Sequence, residues 1–355
     1  MTTDVTPMSL EFAIIDHFER QDDVTLERQY AERYELVAQA EEYGFTGYHV
    51  TEHHLTPLDV APSPIVYLAA LAQHTSCIRI GAMVLCLPLY HPVRLIQEIC
   101  MLDHISGGRF EPGVGRGVRD VEHEWFGLDP MEARSRFAET LEVVLQGITQ
   151  GRLDFHGRYY QFDNVTLGCE TAQKPMPPLW YAGTLSNAAD HGMNGLSLPA
   201  SADAYENFWR RWDERRAAGS PLHQREPKVG SVRWVLVADS DDAAQAIARR
   251  AWRRYQDHFF ATDTRVEGRA LPWTKASDDV DAAIRRGQLL VGSPETVRGA
   301  LEQFLDSAGP LHTYLVGAFH WGDLTHDEAM RSLRLYATEV KPALAERRAC
   351  TRTTQ

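Results

Sequence analysis

The feature that most constrains this chain is a beat. Short runs rich in β-branched and aromatic residues alternate with stretches of helical periodicity, from one end to the other. Strand patterns are expected at 9–15, 47–50, 78–86, 110–113, 179–183, 195–199, 231–239 and 313–319. Helices are expected over 25–43, 64–75, 91–105, 132–149, 241–257, 294–307 and 326–343. In the first of these, Leu26, Tyr30, Val37 and Ala40 form much of an apolar face, and Gly44 stops it. Pro92 suits a first helical turn, and Gly107-Gly108 suits that helix's end. Eight strands interleaved with helices predict an α/β chain folded as a (β/α)8 TIM barrel; an open doubly wound sheet is the alternative.

No internal repeat or low-complexity linker divides the chain, so residues 1–346 are expected to form one barrel domain. Two segments do not fit the beat: 151–176, with a hairpin through RYYQF, and the polar stretch 260–290. Both read as insertions at the rim, the second as a lid, because rim loops tolerate length. The tail 347–355 reads as a frayed end.

At 44% hydrophobic residues the 355-residue chain can bury a large core. Its net charge of −13 argues against a general nucleic-acid binder. No apolar run approaches membrane-spanning length and the first residues do not form a signal peptide, so no membrane association and a cytoplasmic location are expected. The five cysteines form no CxxC pair, which speaks against a disulfide framework or a zinc site. Cys77, Cys86 and Cys100 read as buried apolar residues, with Cys86 near a strand end and so near a possible site.

Chemistry in such a fold collects where strands end. Glu52, His53 and His54 follow the second strand. They lack the His-x-x-x-His spacing of a metalloprotease, and no metal is expected. A rim histidine can exchange protons near neutral pH, with Glu52 orienting it or closing an ion pair; simple rim hydrogen bonding is the other reading. GVGRGVRD at 113–120 lacks Rossmann spacing. It does set Arg116 between Gly115 and Gly117, where a ligand can approach backbone and a guanidinium can fork onto phosphate; a tight turn with a surface arginine is the alternative. Gly183, Thr184, Leu185, Ser186 and Asn187 open an alanine-rich helix, which offers either a phosphate site or helix capping alone. Phe319 and Trp321, at the exit of the last strand, could wall a flat ring or an apolar substrate.

In EHH at 52–54, LPLYHPVRLIQEICMLDHISGGRFEPGVGRG at 87–117, WYAG at 180–183 and VGSPETV at 291–297, the chain resembles the bacterial-luciferase-like flavin-dependent monooxygenases over nearly its whole length. The resemblance implies a barrel that binds reduced FMN delivered by a separate NAD(P)H:flavin reductase. It implies reaction with O2 through a flavin C4a-hydroperoxide to oxidise a small organic substrate. It assigns a catalytic role to His53, phosphate contacts to Arg116 and to Thr184 through Asn187, and a place beside the flavin ring to Met83 and Val84, where relatives carry a non-prolyl cis peptide. Gly115 stands where the light-emitting luciferase subunit has cysteine near the flavin, so it and Cys86 are expected at the substrate pocket. Two alternatives remain: hydride transfer with the deazaflavin F420, and a non-catalytic subunit of a heterodimer. A homodimer or a heterodimer with a paralogue is the expected assembly.

Overall fold

The computed structural model describes residues 9–262, 264–266, 268–270 and 279–353. The chain runs β1 (Glu11–Asp16), α1 (Leu26–Glu42), β2 (Gly47–Val50), α2 (Pro64–Leu71), β3 (Arg79–Ala82), β4 (Leu85–Cys86), α3 (Pro92–Ile105), β5 (Gly113–Gly115), α4 (Asp120–Trp125) and α5 (Ala133–Gln150). A hairpin of β6 (Arg152–His156) and β7 (Gln161–Thr166) precedes β8 (Trp180–Ala182), α6 (Leu185–Asp190), β9 (Asn194–Ser197), α7 (Ala202–Ala217), β10 (Val229–Val237) and α8 (Asp241–Phe259). The remainder is β11 (Arg265–Val266), β12 (Arg269–Ala270), α9 (Val280–Arg285), β13 (Leu289–Gly292), α10 (Pro294–Ala308), β14 (Tyr314–Ala318), α11 (His326–Leu335), a π-helical turn (Tyr336–Val340) and α12 (Lys341–Thr353).

The main sheet has the order β3-β2-β1-β14-β10-β9-β8-β5-β4, with β13 on the second half of β10. Its pairings are parallel. β3 and β4 are two pieces of one strand, separated only by Met83 and Val84, so the ends of the order are joined by the chain itself. A bridge completes the ring: the Ile80 N–H donates to the Arg109 carbonyl at 3.0 Å, and the Glu111 N–H to the Ile80 carbonyl at 2.8 Å. The sheet is therefore a nearly closed barrel and not an open doubly wound one. Gly113 and Gly230 are among the glycines that mark where backbones nearly touch. A Cβ on Gly113 would meet the Ala82 carbonyl oxygen, and one on Gly230 the Tyr314 carbonyl oxygen.

Alternation along the strands divides the core into two layers. Ala13 and Ile15 of β1, with Trp234, Leu236, Tyr314 and Val316, fill the barrel interior. Phe12, Ile14, Val235, Val237 and Leu315 face the helices. The amino-terminal end of the barrel is plugged by Trp180 and Tyr314, with ring centroids 4.7 Å apart. His49 Nε2 lies 2.9 Å from the Tyr314 hydroxyl, and the Trp180 indole donates to Glu111 Oε2 at 2.6 Å. That end is closed, so open space is left at the carboxyl ends of the strands.

The structure departs from the sequence reading at several places. α7 was not expected, although Tyr205, Phe208 and Trp212 at helical spacing bury one face of it. Leu289–Gly292 is a strand, not irregular chain. The α1 face is built on Gln29, Arg33, Leu36, Val37 and Ala40, whereas Leu26 is exposed. Cys77 is exposed, not buried, because Ser76, Cys77 and Ile78 turn their amides outward onto the Glu41 carboxylate. Residues 347–353 of the expected frayed tail form the second half of α12, where Arg347 pairs with Asp306 and Arg348 donates to the carbonyls of Pro310 and His312; 354–355 lie outside the described residues. Residues 263, 267 and 271–278 of the expected lid lie outside the described residues.

Candidate active site

A cavity of about 670 Å³ opens at the carboxyl ends of the strands. Several strand ends add something to it. Ile15 and His17 come from β1 and its exit, Thr51 and His53 from the exit of β2, and Met83 from the break between β3 and β4. Leu196 and Ser197 come from β9, and Val232 and Trp234 from β10, while α8 supplies Tyr255, Gln256 and Phe259. Among the described residues, no Lys, Arg, Asp or Glu lines it. The wall is apolar and aromatic with a few neutral polar groups, the composition that suits a largely uncharged ring.

His53 stands in this wall. Its Nδ1 lies 3.1 Å from Glu122 Oε1, which also accepts the His54 N–H at 3.2 Å. A carboxylate only accepts, so Nδ1 carries the proton of that bond and Nε2 is left for a ligand. Glu122 comes from α4, whose side the chain reaches only after β5. Burial by itself would raise its pKa, but the charge of and hydrogen bond to His53, then Arg119 and the His54 amide, outweigh it and hold the carboxyl below its ordinary value. Glu122 was not singled out from the sequence. It lies 69 residues from His53 on a six-residue helix, and the only trace is a carboxylate in the first turn after the glycine-rich segment.

His17, also unforeseen, stands between His53 and Trp234, with ring centroids 6.1 Å and 5.8 Å away and rings near-parallel to both. Burial, then the charges of His53 and Arg119, push its pKa down to about 3. It is a neutral surface, not a proton donor, at ordinary pH. Arg119 is fully buried behind this group. It donates to Thr262 Oγ1 and, at 2.9 Å, to the Phe259 carbonyl, with its guanidinium 5.0 Å from the Phe259 ring centre. Next to it, Asp120 accepts the Gly268 N–H at 2.7 Å. These bonds tie the end of α8, Thr262 and Gly268 to the segment that follows β5.

Glu52 points elsewhere. One oxygen lies 2.9 Å from His54 Nε2; the other accepts the Cys86 N–H at 3.1 Å and the Tyr90 hydroxyl at 2.8 Å. It holds the β2 exit to β4. Cys86 is buried, and burial together with Glu52 and Glu122 pushes its thiol well above the ordinary range. Neither residue is on the cavity wall. Gly115 pairs with Cys86 in the β4–β5 ladder, and a side chain there would run into Val84. The space that a glycine frees at this position is taken up by valine. The peptide between Met83 and Val84 is cis.

Gly183, Thr184, Leu185 and Ser186 all line the cavity, and Asn187 follows, exposed, on α6. Thr184 is the N-cap residue, yet its hydroxyl does not cap the helix, and the first helical amides have no acceptor within α6. Unused hydroxyls and amides beside an aromatic-walled cavity fit a phosphorylated flat ring. Arg116 follows β5, half-buried, with its carbonyl 3.0 Å from His123 Nε2; Val118, two residues on, lines the cavity, and Arg116 does not. Phe319 and Trp321 are not brought to the site. Phe319 is buried against Phe45 and Tyr336 on the helix side. Trp321 packs on Trp252 and donates to the Val235 carbonyl at 3.2 Å. The aromatic wall is instead Trp234, Tyr255 and Phe259.

Comparison with known proteins agrees with this fold. The family model described as luciferase-like monooxygenase matches residues 10–312. An uncharacterised protein of Sinorhizobium fredii, y4wF, is 32% identical over 343 residues, 95% of this chain and 98% of that one. Among solved structures, the monooxygenase RslO1 from Streptomyces bottropensis is similar with a TM-score of 0.79 at 24% identity, over 94% of this chain and all of that one. The oxygenating constituent of 3,6-diketocamphane monooxygenase from Pseudomonas putida, solved with FMN, is similar with a TM-score of 0.71 at 20% identity, over 94% and 99%.

Proposed function

The chain belongs to the luciferase-like monooxygenase family, and on that premise we propose that it is the oxygenase of a two-component system. It takes reduced FMN from a separate NAD(P)H:flavin reductase and uses O2 to oxidise a small, largely uncharged organic substrate. The observation that carries this reading is His53 on the uncharged wall of a strand-end cavity, backed by buried Glu122 from outside the lining.

Reduced FMN supplies the activation of O2, as cofactors generally supply the hard chemistry. The chain's own residues bind, orient and exclude water. Thr184, Leu185, Ser186 and Asn187 hold the phosphate through hydroxyls and amides, with Arg116 adding charge from the rim. Met83 would sit beside the ring, with Val84 behind it filling the space at Gly115. His53 presents Nε2 to the reacting atoms and carries or returns a proton there, while Glu122 fixes its tautomer and stabilises the imidazolium. Glu52 acts through its neighbours, by holding the backbone on which His53 stands. Trp234, Tyr255 and Phe259 keep water out and receive the substrate.

Among the described residues no helix is long and apolar enough to cross a membrane. A cytoplasmic location and assembly as a homodimer or as a heterodimer with a paralogue are part of the proposal. The test is His53→Ala. Reduced FMN should bind nearly as before, while the share of it that ends as hydrogen peroxide rises. Equal peroxide release by variant and parent removes His53 from the chemistry. Binding of reduced F420 in preference to reduced FMN replaces the oxygenase with a hydride-transfer enzyme. No turnover alone, but turnover on adding a paralogue, makes this chain the silent partner of a heterodimer.

A further inference from the structure

Arg233 is out of place on β10. It is 2% exposed, in a strand that otherwise buries Trp234, Val235, Leu236 and Val237 around it. A guanidinium so enclosed ordinarily has a carboxylate partner, because an unpaired buried charge is costly. Among the described residues none reaches it. It donates to Ser231 Oγ at 2.7 Å, and its carbon sits 3.6 Å from the centre of the Phe304 ring. Burial pulls its pKa down to about 10, against only the weak opposing influence of Tyr205 and Tyr336.

The side chain is nevertheless not sealed in. It forms part of the wall of a crevice of about 370 Å³ on the outside of the barrel, between β13, α9 and α10. Arg285 and Arg286, both exposed, line the same crevice, with Thr296, Gln303 and Ser307 as neutral polar groups. Among the described residues no Asp or Glu lines it. Asp279, 3.4 Å from Arg285, is outside the lining. This crevice shares no residue with the strand-end cavity: Pro199, Gly287 and Leu289 face it, while their neighbours Leu198 and Gln288 face the other.

We propose that this crevice is a second site, for an anion, and that it takes a phosphate group, either free or at the end of a small phosphorylated metabolite. Planar guanidinium forks match phosphate oxygens in geometry as well as charge. Phe304 covers one face of the Arg233 fork and leaves its edge for the oxygens. Arg285 and Arg286 attract and close over the ligand from the mouth.

The test uses the full chain and follows thermal unfolding in inorganic phosphate, with chloride at matched ionic strength as the baseline. A saturable rise in Tm is expected, since a ligand of the folded state stabilises it by mass action. The double variant Arg285→Gln/Arg286→Gln should fold, both residues being exposed, and should weaken the apparent phosphate affinity about tenfold. Arg233→Met should abolish the response; if it does not fold, the double variant decides. Glycerol 3-phosphate binding more tightly than inorganic phosphate makes the ligand a metabolite, and the reverse makes it the free ion; both support the site. No saturable response, an unchanged affinity in the double variant, or loss of the response in Ser186→Ala but not in the double variant overturns it, the last by returning the anion to the strand-end cavity.

Discussion

Replacing Glu122 by glutamine removes a charge and keeps the shape. Oε1 accepts from His53 Nδ1 at 3.1 Å and from the His54 amide at 3.2 Å. A glutamine carbonyl can keep both bonds, but as neutral ones. Bonds to charged groups are worth about 1.5–3 kcal/mol and neutral ones about 0.5–1.5 kcal/mol. Loss of the charge on the His53 bond therefore costs about 1–1.5 kcal/mol, a factor of roughly five to ten. Oxygenated product per reduced FMN should fall by that factor, while the anaerobic Kd for reduced FMN stays nearly constant. Stability gives an independent readout with a fixed sign. Glu122 has a folded pKa below its unfolded value. Its contribution is thus complete above the unfolded value and is lost as pH falls through the folded one. Urea unfolding at about pH 7 should show the parent more stable than Glu122→Gln, and the gap should narrow below about pH 4. A gap that holds or widens on acidification, together with unchanged product yield, would refute the argument that a charged Glu122 positions His53.

Other substitutions test other parts of the site. Arg116→Ala should raise the Kd for reduced FMN about tenfold in an anaerobic titration; an unaltered Kd takes Arg116 out of the anchor. His17, with a pKa pushed down to about 3, stays neutral at ordinary pH, so His17→Gln should leave the pH profile of turnover between about 6 and 8 unshifted. The same depressed pKa means that the parent loses stability as pH falls below the unfolded histidine value and on toward the folded one. His17→Gln should flatten that acid limb in a pH series of Tm. Gly113→Ala should destabilise by about 1–3 kcal/mol, because its Cβ would press on the Ala82 carbonyl where the barrel closes; a Tm within error of the parent would show that the contact relaxes without cost.

Much of the barrel was legible because the strands alternate between two different burials, one inside the ring and one under the helices. What escaped was short or locally ambiguous. Leu289–Gly292 pairs only with the second half of β10 and carries four buried residues with no alternation to read. α7 has charged residues on all but one face, so the buried aromatics did not stand out from their setting. The site divides in the same way. His53 and the 183–186 segment were visible because each directly follows a strand. Glu122 was not, since its proximity to His53 depends on how α4 packs after β5. Phe319 and Trp321 follow β14, which in sequence suggests a wall. At a strand's last residues one step along the chain exchanges the cavity for the helix layer, and both side chains went to protein partners.

The three bonds of Glu52 carry a warning for anyone reading activities from mutants. This carboxylate spans His54, the Cys86 amide and the Tyr90 hydroxyl, and so acts as a rivet between adjoining parts of the rim. Removing it would leave His53 chemically intact and mechanically adrift. An inactive Glu52 variant would look like a lost acid or base while reporting a misaligned neighbour, and only a comparison of its flavin affinity and melting behaviour with those of His53→Ala would tell the two apart.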